Sequence, residues 1–216
     1  MKNRIMPSRS RIAALFLTML AIFASGCREN RKSPPPPPPD TPGGRIVAAA
    51  LGQIGVTTNY DPSYVALNYP GGDVSRDRGV CSDVLIRALR DAHGMDLQQL
   101  VHEDMRANFS AYPKTWSLTK PDRNIDHRRV LNLRVFLQRR DCEIPLDPNA
   151  PLDPTAFQPG DIVTCTVPPN LPHVMIVSHL KGHSGLPLVI HNSSSRGTHQ
   201  NDALPKFPLT GHYRWK

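Results

Sequence analysis

From Val80 onward the apolar residues fall at positions 80, 84, 85, 88 and 89, one stripe of a 3.6-residue period. That spacing predicts an amphipathic helix across "RGVCSDVLIRALR", ending near Gly94 as a left-handed C-terminal cap. Upstream, "RIVAAALGQIG" (45–55) combines strong helix formers with a terminal glycine and predicts a first helix. The last third changes period. "QPGDIVTCTV" is a turn followed by an alternating strand, "HVMIVSH" and "LPLVIHN" are two more strands, and "GHYRW" closes the set. Helices first and an antiparallel sheet afterwards is the order of an α+β domain.

Between these blocks the pattern is less decisive. Residues 56–79 are rich in Tyr, Asp, Pro and Gly and predict a long loop, which inside a domain is usually functional. Tyr60, Tyr64, Tyr69 and Tyr112 are expected to bury and order it. "MDLQQLVHEDMRANF" suits a short helix. "VLNLRVFLQRR" suits a strand or a helix carrying Leu131 and Phe136 inward, and "EIPLDPNAPLDPTAF" is loop by its prolines.

The amino terminus reads differently from the rest. Lys2, Arg4, Arg9 and Arg11 precede an uncharged run from Ile12 to Ala24, the layout of a secretory signal. Such a run is shorter than the roughly 20 residues that span a bilayer. Ala24, Ser25 and Gly26 before Cys27 resemble a bacterial lipobox. That resemblance implies cleavage after residue 26 and lipidation of Cys27. Arg28 after it implies the outer rather than the inner membrane. Pro34–Pro39 then favours polyproline II, a stiff spacer of roughly 19 Å. The expected organisation is therefore a signal peptide at 1–26, a lipidated tether at 27–44 and one domain at 45–216. The formal charge of +8 includes four bases and no acid from residues 1–26, so the remainder carries +4. This mild excess has no nucleic-acid motif, and no nucleic-acid partner is expected.

Three residues carry candidate chemistry. Cys81 begins the predicted helix, His173 begins a strand, and His191 ends the next. A hairpin with its loop at 179–185, centred on Gly182, sets His173 directly across from His191 on one face. Met175, Val177 and Val189 share that face and are expected to pack against the helix begun by Cys81. A helix N-terminus and an imidazolium both favour a thiolate and are expected to pull Cys81 below the usual ~8.5. Cys81 is then the nucleophile, His173 the base and His191 its orienter, with Asn192 as the rival for the third place. Backbone amides at the helix start are candidate oxyanion donors. Cys142 and Cys165 are able to pair with each other, which leaves Cys81 as the odd thiol. His102, Glu103 and Asp104 lack a metal-ligand spacing, so neither metal nor cofactor is expected.

"GVCSDV", "PGDIV", "PHVMIV" and "VIHN" resemble the NlpC-like branch of papain-fold cysteine peptidases and the related CHAP amidases. "YDPSYVALNYPGGDVSRDRGVCSDV", "NIDHRRVLNL" and "GHYRW" resemble, more narrowly, a bacterial envelope family described as a domain of unknown function. The resemblance implies a papain-like, NlpC-type fold with N-terminal helices packed on a C-terminal sheet. It also implies a thiol hydrolase of the periplasm that cleaves amide bonds in peptidoglycan peptides while held to the membrane by its lipid. A non-catalytic wall-binding lipoprotein and an acyltransferase are the alternatives on the same fold. The chain departs from the Asp-Cys-Ser-Gly pattern, with Val80, Ser82 and Asp83 around the cysteine, and Asp83 would oppose a thiolate. No glutamine stands at the papain oxyanion position, for which Tyr60 or Tyr69 is a candidate. Tyr69, Asp83 and Arg128 are assigned to substrate binding. Arg128 lies in "NIDHRR", which reads either as a solvated charged loop or as a cleft wall gripping a carboxylate.

Overall fold

A computed structural model describes residues 34–147, 149–193 and 196–215. The expected signal peptide, Cys27 and the first part of the tether lie outside the described residues. Among those described, no helix is long and apolar enough to cross a membrane. Pro36 to Lys216 makes one unit, and it holds every described helix and strand.

Helix α1 (Pro42–Leu51) starts three residues earlier than the apolar pattern suggests. Thr41 explains the difference: its hydroxyl accepts from Gly44 N at 3.0 Å, and Pro42 occupies the first helical position, where no amide is needed. Helix α2 (Cys81–His93) ends as expected on Gly94, at φ +67°, whose N–H donates to Arg90 O. Helix α3 (Leu97–Ala107) is capped by Asp96, which accepts from Gln98 N. Helix α4 (Val130–Arg139) resolves the ambiguous "VLNLRVFLQRR" as helix. Phe136 points inward as expected, together with Leu133 and Leu137. Leu131 instead lies only half-buried, on the wall of a cleft.

Strands β1 (Asn59–Tyr60) and β2 (Arg78–Gly79) form a short parallel pair that ties the two ends of the long loop. The main sheet contains β3 (Glu143–Ile144), β4 (Ile162–Val167), β5 (Leu171–Lys181), β6 (Pro187–Ser193), β7 (Gly197–Asn201) and β8 (Leu209–Tyr213). It is antiparallel throughout, in the order β3-β8-β4-β5-β6-β7. The architecture is thus α+β, helices leading and sheet following. Strands β3 and β7 do not show in the hydrophobic pattern, because Glu143–Ile144 is too short and "GTHQN" too polar to alternate.

Both faces of the sheet are covered. Val174, Ile176 and Ile190 pack under α1, α2 and α4 with Leu85, Leu89 and Phe136. Val163, Cys165, Met175, Val177 and Val189 form a second core, covered by Phe157, Ala203 and Leu204 from loops. The strands accordingly read as near-continuous apolar runs. Cys142 belongs to the helix-side core and Cys165 to the other, so the sheet separates them. The bridge that the sequence left open between them is not formed, and Cys165 is a free thiol.

The long loop is ordered, but not by burying its tyrosines, of which Tyr64 contributes only through its hydroxyl to Asp122 and Asn124. Tyr60 and Tyr64 are exposed. Its anchor is Arg87, fully buried in α2. The guanidinium reaches Asp73 through two nitrogens at 2.9 and 3.0 Å, the Thr57 hydroxyl at 3.1 Å, and the carbonyls of Val74, Ser75 and Arg78. Arg's planar fork suits this many acceptors in a way lysine does not.

Candidate active site around Cys81

The β5–β6 ladder places the candidate residues, and its register differs from the expected one by two. Ile176 pairs with Ile190 and Val177 with Val189, while nearer the turn Lys181 pairs with Pro187 across a bulge. Continued, this register sets Met175, not His173, opposite His191. A shift of two keeps side chains on their face where a shift of one would have reversed them. The two rings therefore still meet, diagonally: His173 Nε2 lies 2.8 Å from His191 Nδ1, with the ring planes at 86°.

Below Ile176 the two strands part. Strand β5 keeps β4 as its partner down to Leu171, and β6 keeps β7 out to Ser193. Val177 N–H donates to Asp161 O on the β4 side. By the alternation of an antiparallel ladder the amide of Val174 points the other way, into the split. The sulfur of Cys81 sits against that amide, and those of Ser82 and Cys81 also favour its charged form. Burial outweighs them and pushes the thiol up to about 11, not below its usual range as expected. Both rings are held low, His173 at about 4 and His191 at about 3, mainly because burial disfavours the imidazolium. The resting site is a neutral thiol beside two neutral imidazoles. Among the described residues no hydrogen bond joins the Cys81 sulfur to either ring.

The expected packing of the histidine face against α2 is corrected by the core. His173 and His191 share the face of Met175, Val177 and Val189, which lies under the loops. The helix covers the alternate residues, Val174, Ile176 and Ile190. Cys81 reaches the Val174 amide from the helix side, and the rings lie on the other face of the sheet. Asn192, facing away from the rings as expected, donates from Nδ2 to Gly79 O at 2.9 Å and so holds the turn before Cys81.

The start of α2 is braced from every side. Asp83 accepts from Val80 N at 2.6 Å, and Ser82 Oγ donates to Arg128 O at 2.7 Å. Arg128 Nε and Nη2 each lie 2.9 Å from an Asp83 oxygen, and the pair is almost fully buried. Nη1 and Nη2 of Arg128 also reach the carbonyls of Ser63 and Asp61. The assignment of Asp83 and Arg128 to substrate is thus revised. Each is committed to the other, and Asp83 still opposes the thiolate as expected, raising the thiol alongside burial. "NIDHRR" is not a solvated loop: Asp126, His127 and Arg128 form a buried 3₁₀ turn, and Ile125 and Arg128 line the cleft at Cys81.

Tyr69 stands apart from Cys81. Its ring meets His102 edge-on at 5.2 Å and lies beneath Arg123. Tyr60 is the tyrosine at the site. It lines a cleft of ≈ 220 Å³ with Val80, Cys81, Trp116, Leu131 and Pro172. Burial first, then the neighbouring Cys81 and Asp83, push its hydroxyl up to about 12. Asp104 is occupied by Arg139 and Tyr112. Two residues escaped the sequence reading, His199 and Asn201 on β7. His191 Nε2 lies 3.2 Å from Asn201 Oδ1, and the His191 and His199 rings are 4.6 Å apart. Their period-two spacing was visible, but a strand without apolar residues was not.

Residues 47–215 match the family described as Domain of unknown function (DUF1287). The chain belongs to that family. Uncharacterized protein YijF of Escherichia coli (strain K12) is 49% identical over 170 residues, which cover 79% of this chain and 80% of that protein. Among solved structures, NlpC1 from Trichomonas vaginalis aligns with 82% of this chain at 13% identity and a TM-score of 0.44. The alignment spans 45% of that protein, less than half its length. An N-acetylmuramoyl-L-alanine amidase from Bacteroides uniformis aligns with 81% of this chain and 99% of its own, at 10% identity and a TM-score of 0.43.

Proposed function

We propose that this DUF1287 chain is a thiol hydrolase of the bacterial envelope that cleaves amide bonds in peptidoglycan peptides, held to the outer membrane through Cys27. The observation that carries the reading is the convergence at the β5–β6 split. A cysteine at a helix start has three backbone amides around its sulfur, one of them that of Val174, the residue after His173, whose ring is hydrogen-bonded to that of His191. In the reaction His173 takes the thiol proton as sulfur bonds to the substrate carbonyl carbon. The amides that surround the sulfur are placed to stabilise the negative charge that develops. The proton then passes to the leaving nitrogen, the C–N bond breaks, and water hydrolyses the thioester to return the thiol. His191 holds the His173 ring in its plane. The wall-peptide substrate rests on the resemblance of "GVCSDV", "PHVMIV" and "VIHN" to NlpC-like peptidases and CHAP amidases and on the signal-like amino terminus.

The test is release of new amino termini from purified wall fragments. The native chain is expected to produce them and Cys81→Ala to lose at least about 10³-fold of that rate. Equal release by both ends the enzyme reading.

One observation favours a second reading, a binding protein on the same scaffold: Cys81 is 5% exposed and its thiol is pushed up to about 11. Iodoacetamide separates the two. An enzyme labels at Cys81 in the folded state and faster with wall peptide bound, whereas a binding protein labels only on unfolding.

A further inference from the structure

The hydrogen bonds beyond His191 have a direction, and it can be followed from one fixed end. Gly197 O can only accept, and it lies 2.9 Å from His199 Nδ1. His199 therefore carries its proton on Nδ1 and presents a bare Nε2. That nitrogen lies 3.0 Å from Asn201 Nδ2, which donates to it. The same amide turns Oδ1 toward His191 Nε2 at 3.2 Å, so His191 is protonated on Nε2 and bare on Nδ1. His173 Nε2 must then donate to His191 Nδ1 across 2.8 Å. The row ends on His173 Nδ1, an unprotonated nitrogen with a lone pair.

Turning the Asn201 amide over reverses every step. Nδ2 would donate to His191 Nε2, His191 Nδ1–H would donate to His173 Nε2, and the proton of His173 would move to Nδ1. His199 would be forced to donate from both nitrogens and carry a charge. Ring protonation and amide orientation are coupled in this way because each ring has one donor and one acceptor when neutral. Only the observed orientation leaves all three rings neutral.

We infer that Asn201 and His199 are positioning residues that fix the His173 tautomer, leaving Nδ1 of His173 as the site that takes the thiol proton. This rests on the reading of Cys81 and His173 as nucleophile and base. It adds a second tier to the site, on a strand outside the three assigned residues. Cys165 sits directly across from His173 on β4, Cys81 is close enough to Cys165 to act on it, and the positive charge of Lys206 acts on His191.

The test reads the tautomer without substrate, from the ring ¹⁵N shifts and long-range couplings of uniformly labelled protein. In the native chain His173 and His191 are both expected as the Nε2–H form. Asn201→Leu removes the acceptor of His191, and His199→Phe frees the amide to turn. Each is expected to convert His173 to a mixture of tautomers. Asn201→Asp keeps an acceptor toward His191 and is expected to restore the single form. Iodoacetamide labelling of Cys81 should slow on the order of 10²-fold in the first two variants and recover in the third. If Asn201→Leu fails to fold, His199→Phe carries the comparison. His173 protonated on Nδ1 in the native chain overturns the inference. So does an unchanged tautomer in both disrupting variants, or equal scrambling by Asp and Leu. Loss of the amidase reading through Cys81→Ala would leave the tautomer result intact, so the two failures are distinguishable.

Discussion

Asp83 lies two residues beyond the candidate nucleophile, where a carboxylate suits the helix but opposes a thiolate. The structure answers with Arg128, brought from 45 residues away and buried against it. A buried pair contributes little net stability compared with apolar residues of the same shape, but removing one partner strands the other charge. Arg128→Met is therefore expected to cost about 3–5 kcal/mol in urea unfolding. It should also slow labelling of Cys81, because Asp83 loses the cation that offsets its charge beside the sulfur. A loss below about 1 kcal/mol would show that Asp83 finds water instead. The sequence flags both residues as chemically interesting, yet it has no way to reveal that they meet. Charge type is local information, while pairing across 45 residues is a property of the folded chain.

Elements were legible where their period was strong. The stripe at 80, 84, 85, 88 and 89 and the capping Gly94 are enough to place α2, and alternation is enough to place β4, β5 and β6. The histidine pair was legible for the same reason, since side-chain parity survives a register error of two. The error came from the turn, which centres on Ser184 and not on Gly182, as Lys181 opposite Pro187 shows; the bulge between Val177 and Lys181 takes back part of that shift. The wrong face for α2 came from treating the histidine face as the more apolar one, when both faces of these strands are buried. The loop at 56–79 was legible only as a loop. Its order depends on Arg87, which the helical pattern marks as an exposed polar position. Replacing Arg87 by methionine keeps the volume and the helix propensity but removes the guanidinium's own contacts to the loop. The expected result is tryptic or chymotryptic cleavage within 58–79 at least roughly tenfold faster than in the native chain, with α2 itself retained. Equal cleavage rates would mean that the contacts from Asp96, Gln98, Asn124 and Arg128 hold the loop without Arg87.

For the whole molecule the buried imidazoles set an acid limit. An unfolded histidine takes up its proton near pH ~6.5. In the native chain His173 waits until about 4, and His191 and His127 until about 3, with burial as the leading cause in each. Between those values the unfolded chain binds more protons. Stability is then full above pH ~6.5 and falls as the pH drops, by about 1.4 kcal/mol per pH unit for each ring. Urea midpoints measured from pH ~7 down to about 4.5, above the usual carboxylate range, are expected to fall throughout. His127→Gln should flatten that slope by about one proton. A flat profile would mean that these rings are hydrated in solution.

Arg87 also has a consequence for handling the protein. Its contacts close a circuit of chain from Thr57 to Gly79 without a covalent link, so this staple has no redox chemistry. A reductant added to preserve the thiol of Cys81 leaves the circuit closed. An oxidant strong enough to modify that sulfur finds no cystine within the circuit whose exchange would confuse the result.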